Sequence, residues 1–351
     1  MQATVETSGR IRSADLTIAA STLVFVGCSA PDENDDAAGS SAPAAEPGAL
    51  PVTIEHKYGS TTISTQPTRV AAMGVGDGDT LLALGITPTT IAPFADPTQR
   101  SAPWNAELLG DARPEVLPNV SAEFGAQIAK ALSTNPQLVT AVGAAPTREQ
   151  YDTLSKAVPT IVRPAQYQDW QVPWDVQTTE IGKSVGLPDA ASKKIAESKK
   201  HVADLVAQHP ELKGKTGVVV TGSTDGGVSI YGPGDGRAQM LADYGLSFPD
   251  SLKPTITSGF YGSISAERLD MLNAADVVVT VDWSGANAKL KADPTWNRQA
   301  YVTQGRTVYL DQQVGSAMSV PTVLTMPWVA DKTIGPISDA ARKSTVRPRA
   351  N

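Results

Sequence analysis

The sequence predicts an α/β protein made of two α/β lobes joined by a long linking helix. Three observations lead there. Short apolar runs alternate with helical patterns from residue 51 to 172. Residues 173–210 then carry helical periodicity with no readable strand, and the strand–helix alternation restarts and continues to Ala341. Such alternation builds a mostly parallel sheet with helices on its faces, and a long helix between two strand-rich halves acts as a strut.

Ahead of the first lobe, Arg10 and Arg12 precede an apolar run from Leu16 to Val26, and residues 1–28 have the pattern of a secretory signal. That run is too short to span a bilayer. It ends at Cys28, the single cysteine, so no internal disulfide can form. Residues 29–50 are rich in Ser, Ala and Pro, with five acids and no base. They bury too little apolar surface to offset the entropy of ordering, which predicts a disordered acidic tether. The tether holds five of the seven formal negative charges and residues 1–28 balance, so the body is near neutral. Nucleic acid, which demands a basic patch, is excluded as a partner.

The N-terminal lobe (51–172) opens with VTIEHKYGSTTIS, alternating about Tyr58-Gly59 as a hairpin. RVAAMG reads as a buried strand, and DTLLALG as a helix closed by Gly85. TTIAP, PQLVTAVG and TIVRP follow as strands, with helices near 122–133 and 147–157. The linking helix (173–210) is interrupted at Gly186-Leu187-Pro188, and its lysines form a solvated face. In the C-terminal lobe (211–341), GVVVTG, VSIYG and RTVYLD are strands, RAQMLADYG is a helix closed by Gly245, and SAERLDMLNAADVVVTVDW places a helix before a strand. The stretch from Val320 to Arg342 closes the fold as a helix bent at Pro327, and residues 342–351 form a tail.

Catalytic signatures are missing. His56 falls in the opening hairpin, and His201 and His209 fall on the strut; none follows a strand at its carboxyl end, where open sheets place their sites. No G-x-S-x-G, G-x-x-x-x-G-K or H-E-x-x-H occurs. MGVGDGDT sits where a dinucleotide loop would, yet its third glycine comes one residue early, and Asp77 and Asp79 would face a pyrophosphate. The expected role of one of these acids is to cap the helix that follows. No enzyme, no protein-bound metal and no cofactor is expected.

RVAAMGVGDGDTLLALGITPTTIAP resembles the first βαβ unit of the substrate-binding proteins of iron-siderophore and cobalamin ABC importers, whose two lobes are joined by one long helix. PQLVTAVG, WDVQTTEIGKSVGLPDAA, YGPGDGRAQMLADYGL, ISAERLDMLNAADVVV and LDQQVGSAMSV resemble later pieces in order, so the likeness runs from about Val52 to Ala341. FVGC resembles a bacterial lipobox, with Phe25 where leucine is usual. The resemblance implies a monomer on the extracytoplasmic face of the cell membrane, lipid-anchored through Cys28. Such a protein captures a ferric siderophore in the inter-lobe cleft and delivers it to an ABC permease. It implies docking on the permease through Glu267; the first-lobe position seven residues before Pro136 is Ala129, and nearby Glu123 is the available substitute. Cobalamin or haem as ligand, and a surface lipoprotein acting through protein contacts, are the alternatives.

Loops facing such a cleft concentrate aromatics in a chain that is only 5 % aromatic. Trp104, Trp170, Trp283, Tyr231 and Tyr261 are candidates for stacking on a ligand, with core packing as the other reading for Trp104 and Trp283. Arg237 opens a helix after a glycine-rich turn and matches a family arginine that pairs with anionic chelator groups; Arg100 is the second such base. Trp174 resembles the structural tryptophan that starts the strut and is set outside the site. Two bases against Asp77, Asp79 and Asp96 leave the cleft without strong positive charge, favouring a hydroxamate or mixed-ligand chelate over a triscatecholate.

Overall fold

Strands covered by helices on both faces read as near-continuous apolar runs, and the central strands of the two larger sheets do, each broken at most by a buried threonine or a glycine. The computed structural model describes residues 42–344 except 95, 97 and 225. Contacts divide the chain into residues 1–41 and Ala42–Asn351, and the second unit holds both sheets. Cys28 and the signal segment lie outside the described residues.

In the first lobe, β1 (Val52–His56) and β2 (Gly59–Ile63) form the antiparallel hairpin. The parallel sheet is built from β3 (Val70–Ala72), β4 (Thr90–Ile91), β5 (Glu115–Val116), β6 (Leu138–Ala141) and β7 (Thr160–Val162), in the order β5-β4-β3-β6-β7. Helices α1 (Asp77–Ala83), α2 (Ala106–Leu109), α3 (Val120–Ser133) and α4 (Arg148–Ala157) connect them. Strand order reverses between β3 and β6, so the loops leaving these two strands diverge and open a crevice.

The strut differs from a single rod. It consists of α5 (Trp174–Ser184) and α6 (Pro188–Ala207), with the reversal at Val185–Leu187 and Pro188 at the first helical position. The two run antiparallel: Lys199 Nζ meets Asp175 Oδ2 at 2.5 Å near one end. Toward the other end, a Cβ on Gly182 would lie 2.3 Å from that of Ala191. Glycine at 182 is what allows this approach. Helix α5 packs on α1 and β1, and α6 carries the chain to the second lobe.

Residues 42–50, assigned above to the disordered tether, are instead folded onto the body. Glu46 accepts hydrogen bonds from the Asp189 and Ala190 amides (2.7 and 2.8 Å) and so caps α6, whose own N-cap, Leu187, has no side-chain acceptor. Composition placed Glu46 with the solvated acids, but a helix N-terminus offers a carboxylate free amide donors.

The second sheet comprises β8 (Gly217–Gly222), β9 (Val228–Tyr231), β10 (Ile256–Ser258), β11 (Tyr261–Ile264), β12 (Val277–Val281) and β13 (Thr307–Leu310), in the order β10-β11-β9-β8-β12-β13. Pairing is parallel for β8-β12-β13 and antiparallel beyond β8. Its helices are α7 (Gly236–Asp243), α8 (Ala286–Ala292), α9 (Pro294–Asn297), α10 (Ala300–Thr303), α11 (Gln312–Ser319) and α12 (Thr325–Arg342). Pro327 stands in the first turn of α12, where an amide has no helical acceptor, so the bend expected there has no cause; the interior proline is Pro336.

The end of α12 is tied to the exit of α6 through Glu211. Its carboxylate accepts from Ser338 Oγ and from Arg342 Nη2 (2.5 Å), with His209 Nδ1 at 3.3 Å. The Ser338 hydrogen bond leads the causes that hold this carboxyl down at about 2, against an ordinary 4.5. A depressed carboxyl stabilises the fold above its unfolded value and loses that contribution as pH falls toward the folded one. Native protein should therefore exceed Glu211→Gln in thermal stability near neutral pH, with the margin shrinking between 4.5 and about 2. Melting curves of both proteins across that range test this, and a margin constant with pH would refute it.

Candidate functional site

The loop after β3, Met73 to Gly76, turns directly into α1, whose first acid, Asp77, is fully buried while the second, Asp79, is half-buried at the edge of a small cavity. Asp77 accepts from the amides of Val142 and Gly143 (3.0 Å each) and from Gln177 Nε2 (2.6 Å). It thereby fastens the loop after β6, and through Gln177 the strut, to the loop after β3. A Cβ on Gly143 would lie 2.1 Å from Val75 O, so the close approach of the two loops requires glycine. Asp79 accepts from Trp104 Nε1 (2.8 Å), Asn105 Nδ2 (2.7 Å) and Thr322 Oγ1 (3.2 Å), the last from the segment that enters α12. Burial pushes both carboxyls up, and these hydrogen bonds pull in the opposite direction. Neither acid caps the helix as expected: the N-cap is Gly76 in the left-handed region (φ 82°) with no side-chain acceptor.

In front of this clasp lies a cavity of about 310 Å³. Val75, Val142 and Gly143 form its first-lobe wall; Gly234, Arg237 and Phe260 form the second-lobe wall; Trp170, Trp174 and Gln177 close it on the strut side. Cavities of this size, mostly apolar with a few convergent polar groups, are typical ligand sites.

Two of the sequence candidates, Arg237 and Trp170, meet in this wall. Arg237 is 6 % exposed, and its Nη1 donates to both oxygens of Asp235 (3.0 and 2.8 Å). Asp235 also caps α7 through the Arg237 amide (2.9 Å). Burial raises the Asp235 carboxyl, and the Arg237 charge opposes that rise. The guanidinium lies 3.9 Å from the Tyr231 ring centre and 5.9 Å from that of Trp283. Arg237 Nε is buried without a hydrogen-bond partner. Arg237 is thus a cation held flat on an aromatic ring with a counter-ion of its own, which the sequence reading of a free fork did not include.

Trp170 is 41 % exposed and has φ of 68°, where a bulky residue is strained. The preceding residue holds it there: Asp169 accepts from Lys57 Nζ (2.9 Å) and Arg163 Nε (2.5 Å). Burial pushes the Asp169 carboxyl up, but these two cations outweigh it and keep the group below the usual range.

The remaining candidates stand elsewhere. Tyr231 and Trp283 form a second layer behind Arg237, joined by a Trp283 Nε1 to Tyr231 Oη hydrogen bond of 3.3 Å, and Trp283 meets Phe94 edge-on across the lobes at 6.0 Å. Trp104 and Arg100 line a smaller cavity of about 80 Å³. The indole of Trp104 is committed to Asp79 and lies edge-on to Trp328 at 5.3 Å. Tyr261 points from strand β11, is 43 % exposed and does not line the cavity, whereas its neighbour Phe260 does. Trp174, set aside above as structural, is in the wall, as are Phe94, Gln171 and Gln177. Glu267 and Glu123 are both exposed, each in the first turn of the helical segment that precedes β12 or β6 within a shared Ser-Ala-Glu. The alignment that singled out Ala129 counted back from Pro136, whereas the fold pairs Glu123 with Glu267.

A model of the family described as periplasmic binding protein matches residues 71–314. The chain belongs to this family. Among solved structures, this periplasmic binding protein is similar to a periplasmic solute binding protein from Mycobacterium smegmatis (24 % identity, TM-score 0.73, covering 83 % of this chain and 98 % of that one). It is also similar to PiaA from Streptococcus pneumoniae in complex with ferrichrome (24 %, TM-score 0.72, 84 % and 100 %). Among curated relatives, a putative ABC transporter substrate-binding lipoprotein of Bacillus subtilis, YhfQ, is 24 % identical over 275 residues (76 % of this chain, 82 % of that protein). The Fe(3+)-citrate-binding protein YfmC of the same organism is 24 % identical over 292 residues (83 % and 86 %).

The strained Trp170 gives a test of the cleft wall. Trp170→Gly and Trp170→Ala both remove the ring, but only glycine accepts positive φ freely, so the glycine variant should be the more stable by about 1 kcal/mol. Urea unfolding measures the difference; equal stabilities would mean the loop does not hold this conformation.

Proposed function

We propose that this periplasmic binding protein captures a ferric siderophore between its lobes and delivers it to an ABC import permease. The observation that carries the reading is the cavity wall. Indole and phenyl rings from the end of the first lobe, the strut and the second lobe (Trp170, Trp174, Phe260) line a cavity of about 310 Å³ with one polar cluster, Arg237 with Asp235. Rings of this kind gain by stacking on and dehydrating an organic chelate, and the iron arrives already ligated, so the wall needs no metal ligands of its own. Relatives of the same fold described as a ferrichrome complex and an Fe(3+)-citrate-binding protein support the choice of a ferric chelate.

Binding and delivery, rather than catalysis, are the role of this site. The three histidines are away from the wall: His56 is buried against Thr61 and Tyr151, His201 pairs with Asp331, and His209 sits by Ser338. Axial ligation of haem has no histidine to use there, which disfavours the haem alternative. Exposed Glu123 and Glu267 supply one carboxylate per lobe for docking on permease cations, answering the asymmetry that Ala129 suggested. Lipidation at Cys28 would hold the protein on the extracytoplasmic face as a monomer, within reach of the permease.

Tryptophan fluorescence tests the reading directly, since two indoles stand in the wall. Titration with ferrichrome, a ferric triscatecholate, ferric citrate, cobalamin and haemin should give saturable quenching with at least one iron chelate, diminished in Trp170→Ala. Quenching by cobalamin or haemin alone, or by none of the five, would reject it.

A further inference from the structure

We propose that Asp235 determines the charge of the cargo: by neutralising Arg237 it makes the cleft select ferric chelates of zero net charge over anionic ones. The inference rests on the ferric-siderophore reading above and specifies the class within it. Among the described residues that line the cavity, Asp235 and Arg237 are the only two with ionisable acidic or basic side chains. Every other polar contribution comes from amides, hydroxyls, backbone and indole N–H groups. The charge carried by the lining itself is therefore that of this pair, while Asp77 stands one layer behind with its oxygens taken up by Val142, Gly143 and Gln177.

The pair is built to stay together. Both oxygens of Asp235 lie within 3.0 Å of Arg237 Nη1, and Asp235 is fixed from behind by the Arg237 backbone amide at 2.9 Å. The guanidinium packs on the layer behind it, 3.9 Å from the Tyr231 ring centre and 5.9 Å from that of Trp283, which opposes its swinging away from its partner. Both residues are more than nine-tenths buried, so water screens neither charge effectively. An anionic chelate entering this wall must give up its hydration and meets a cation whose charge is already cancelled. A ferric trihydroxamate, in which three singly charged groups balance the iron, loses far less hydration on entry. It needs no counter-charge from the wall, and the paired Arg237 and Asp235 offer none.

The test uses the native chain, Asp235→Asn and Arg237→Gln, with ferrichrome as the uncharged probe and ferric citrate as the anionic one, at fixed ionic strength. Asparagine caps a helix as well as aspartate does, so Asp235→Asn removes the charge while leaving the α7 cap available. The native chain should bind ferrichrome at least tenfold more tightly than ferric citrate. In Asp235→Asn the affinity ratio should move at least tenfold toward ferric citrate. In Arg237→Gln, where the carboxylate stands alone, it should move at least tenfold the other way. Thermal melts establish that each variant is folded, and if Asp235→Asn is not, the Arg237→Gln ratio and the native preference decide. A pair with a merely structural role would weaken both chelates together and leave the ratio fixed, which overturns the proposal. A native preference for ferric citrate overturns it too while leaving the siderophore reading standing, whereas failure of every ferric chelate to bind removes that reading itself.

Discussion

Two carboxylates two residues apart on a seven-residue helix, the buried Asp77 and the half-buried Asp79, hold the parts of this molecule in register. Burying one charge is costly unless every lone pair is used. Asp77 spends its oxygens on the amides of the neighbouring loop and on Gln177 of the strut, while Asp79 spends its own on Trp104, Asn105 and Thr322. Spaced two apart on a helix, they face in different directions. One therefore organises the first lobe internally and the other reaches to the second. Burial pushes the pKa of both up, and that rise is what remains of a desolvation that the hydrogen bonds only partly offset. Burial of charge at this depth ties the loops after β3 and β6, the strut and the entry to α12 to a single point.

The cleft follows from that point. Because the loops after β3 and β6 are fastened together by Asp77, their apolar residues Val75 and Val142 are presented side by side as one wall. Because Gln177 is fastened to the same carboxylate, α5 is set at a fixed depth and Trp174 is brought to the edge of the cavity. The second lobe contributes its wall differently, through a glycine-rich turn that lets Asp235 and Arg237 pair at the start of α7. The first lobe supplies shape and the second supplies the polar contact.

How much of this was legible in the sequence depended on the length scale of the cause. Buried strands such as β6 and β12 are apolar but for one threonine each, and the pattern reads directly. Strand β5 is two residues long, and β10 and β11 flank a glycine turn with exposed alternate positions, so neither carries a run to read. Glu46 looked like one more solvated acid because its partners, the amides of Asp189 and Ala190, are more than 140 residues away. Arg237 was found from its place after a turn, yet its counter-ion two residues earlier was not weighed, since a sequence does not show which side chains turn back upon their own helix. The tryptophans divide on the same ground. Trp104 is consumed by Asp79, a bond invisible in sequence, while Trp174 reaches the cavity on a helix whose depth is set by the equally invisible bond from Gln177 to Asp77.

The contacts across the cleft also bear on how the two lobes can move. Asp79 to Thr322, Trp104 against Trp328 and Trp283 against Phe94 all bridge the lobes beside the cavity. Opening the lobes would expose the rings of two of these contacts and leave a half-buried carboxylate short of one donor, so each degree of separation is opposed by both apolar and polar terms. A doubled strut adds stiffness, because bending α6 requires α5 to slide against it where Gly182 and Ala191 leave no free space. Any ligand of the cleft therefore meets the wall groups largely as they stand, rings and paired charges at nearly constant spacing, without a large closing motion.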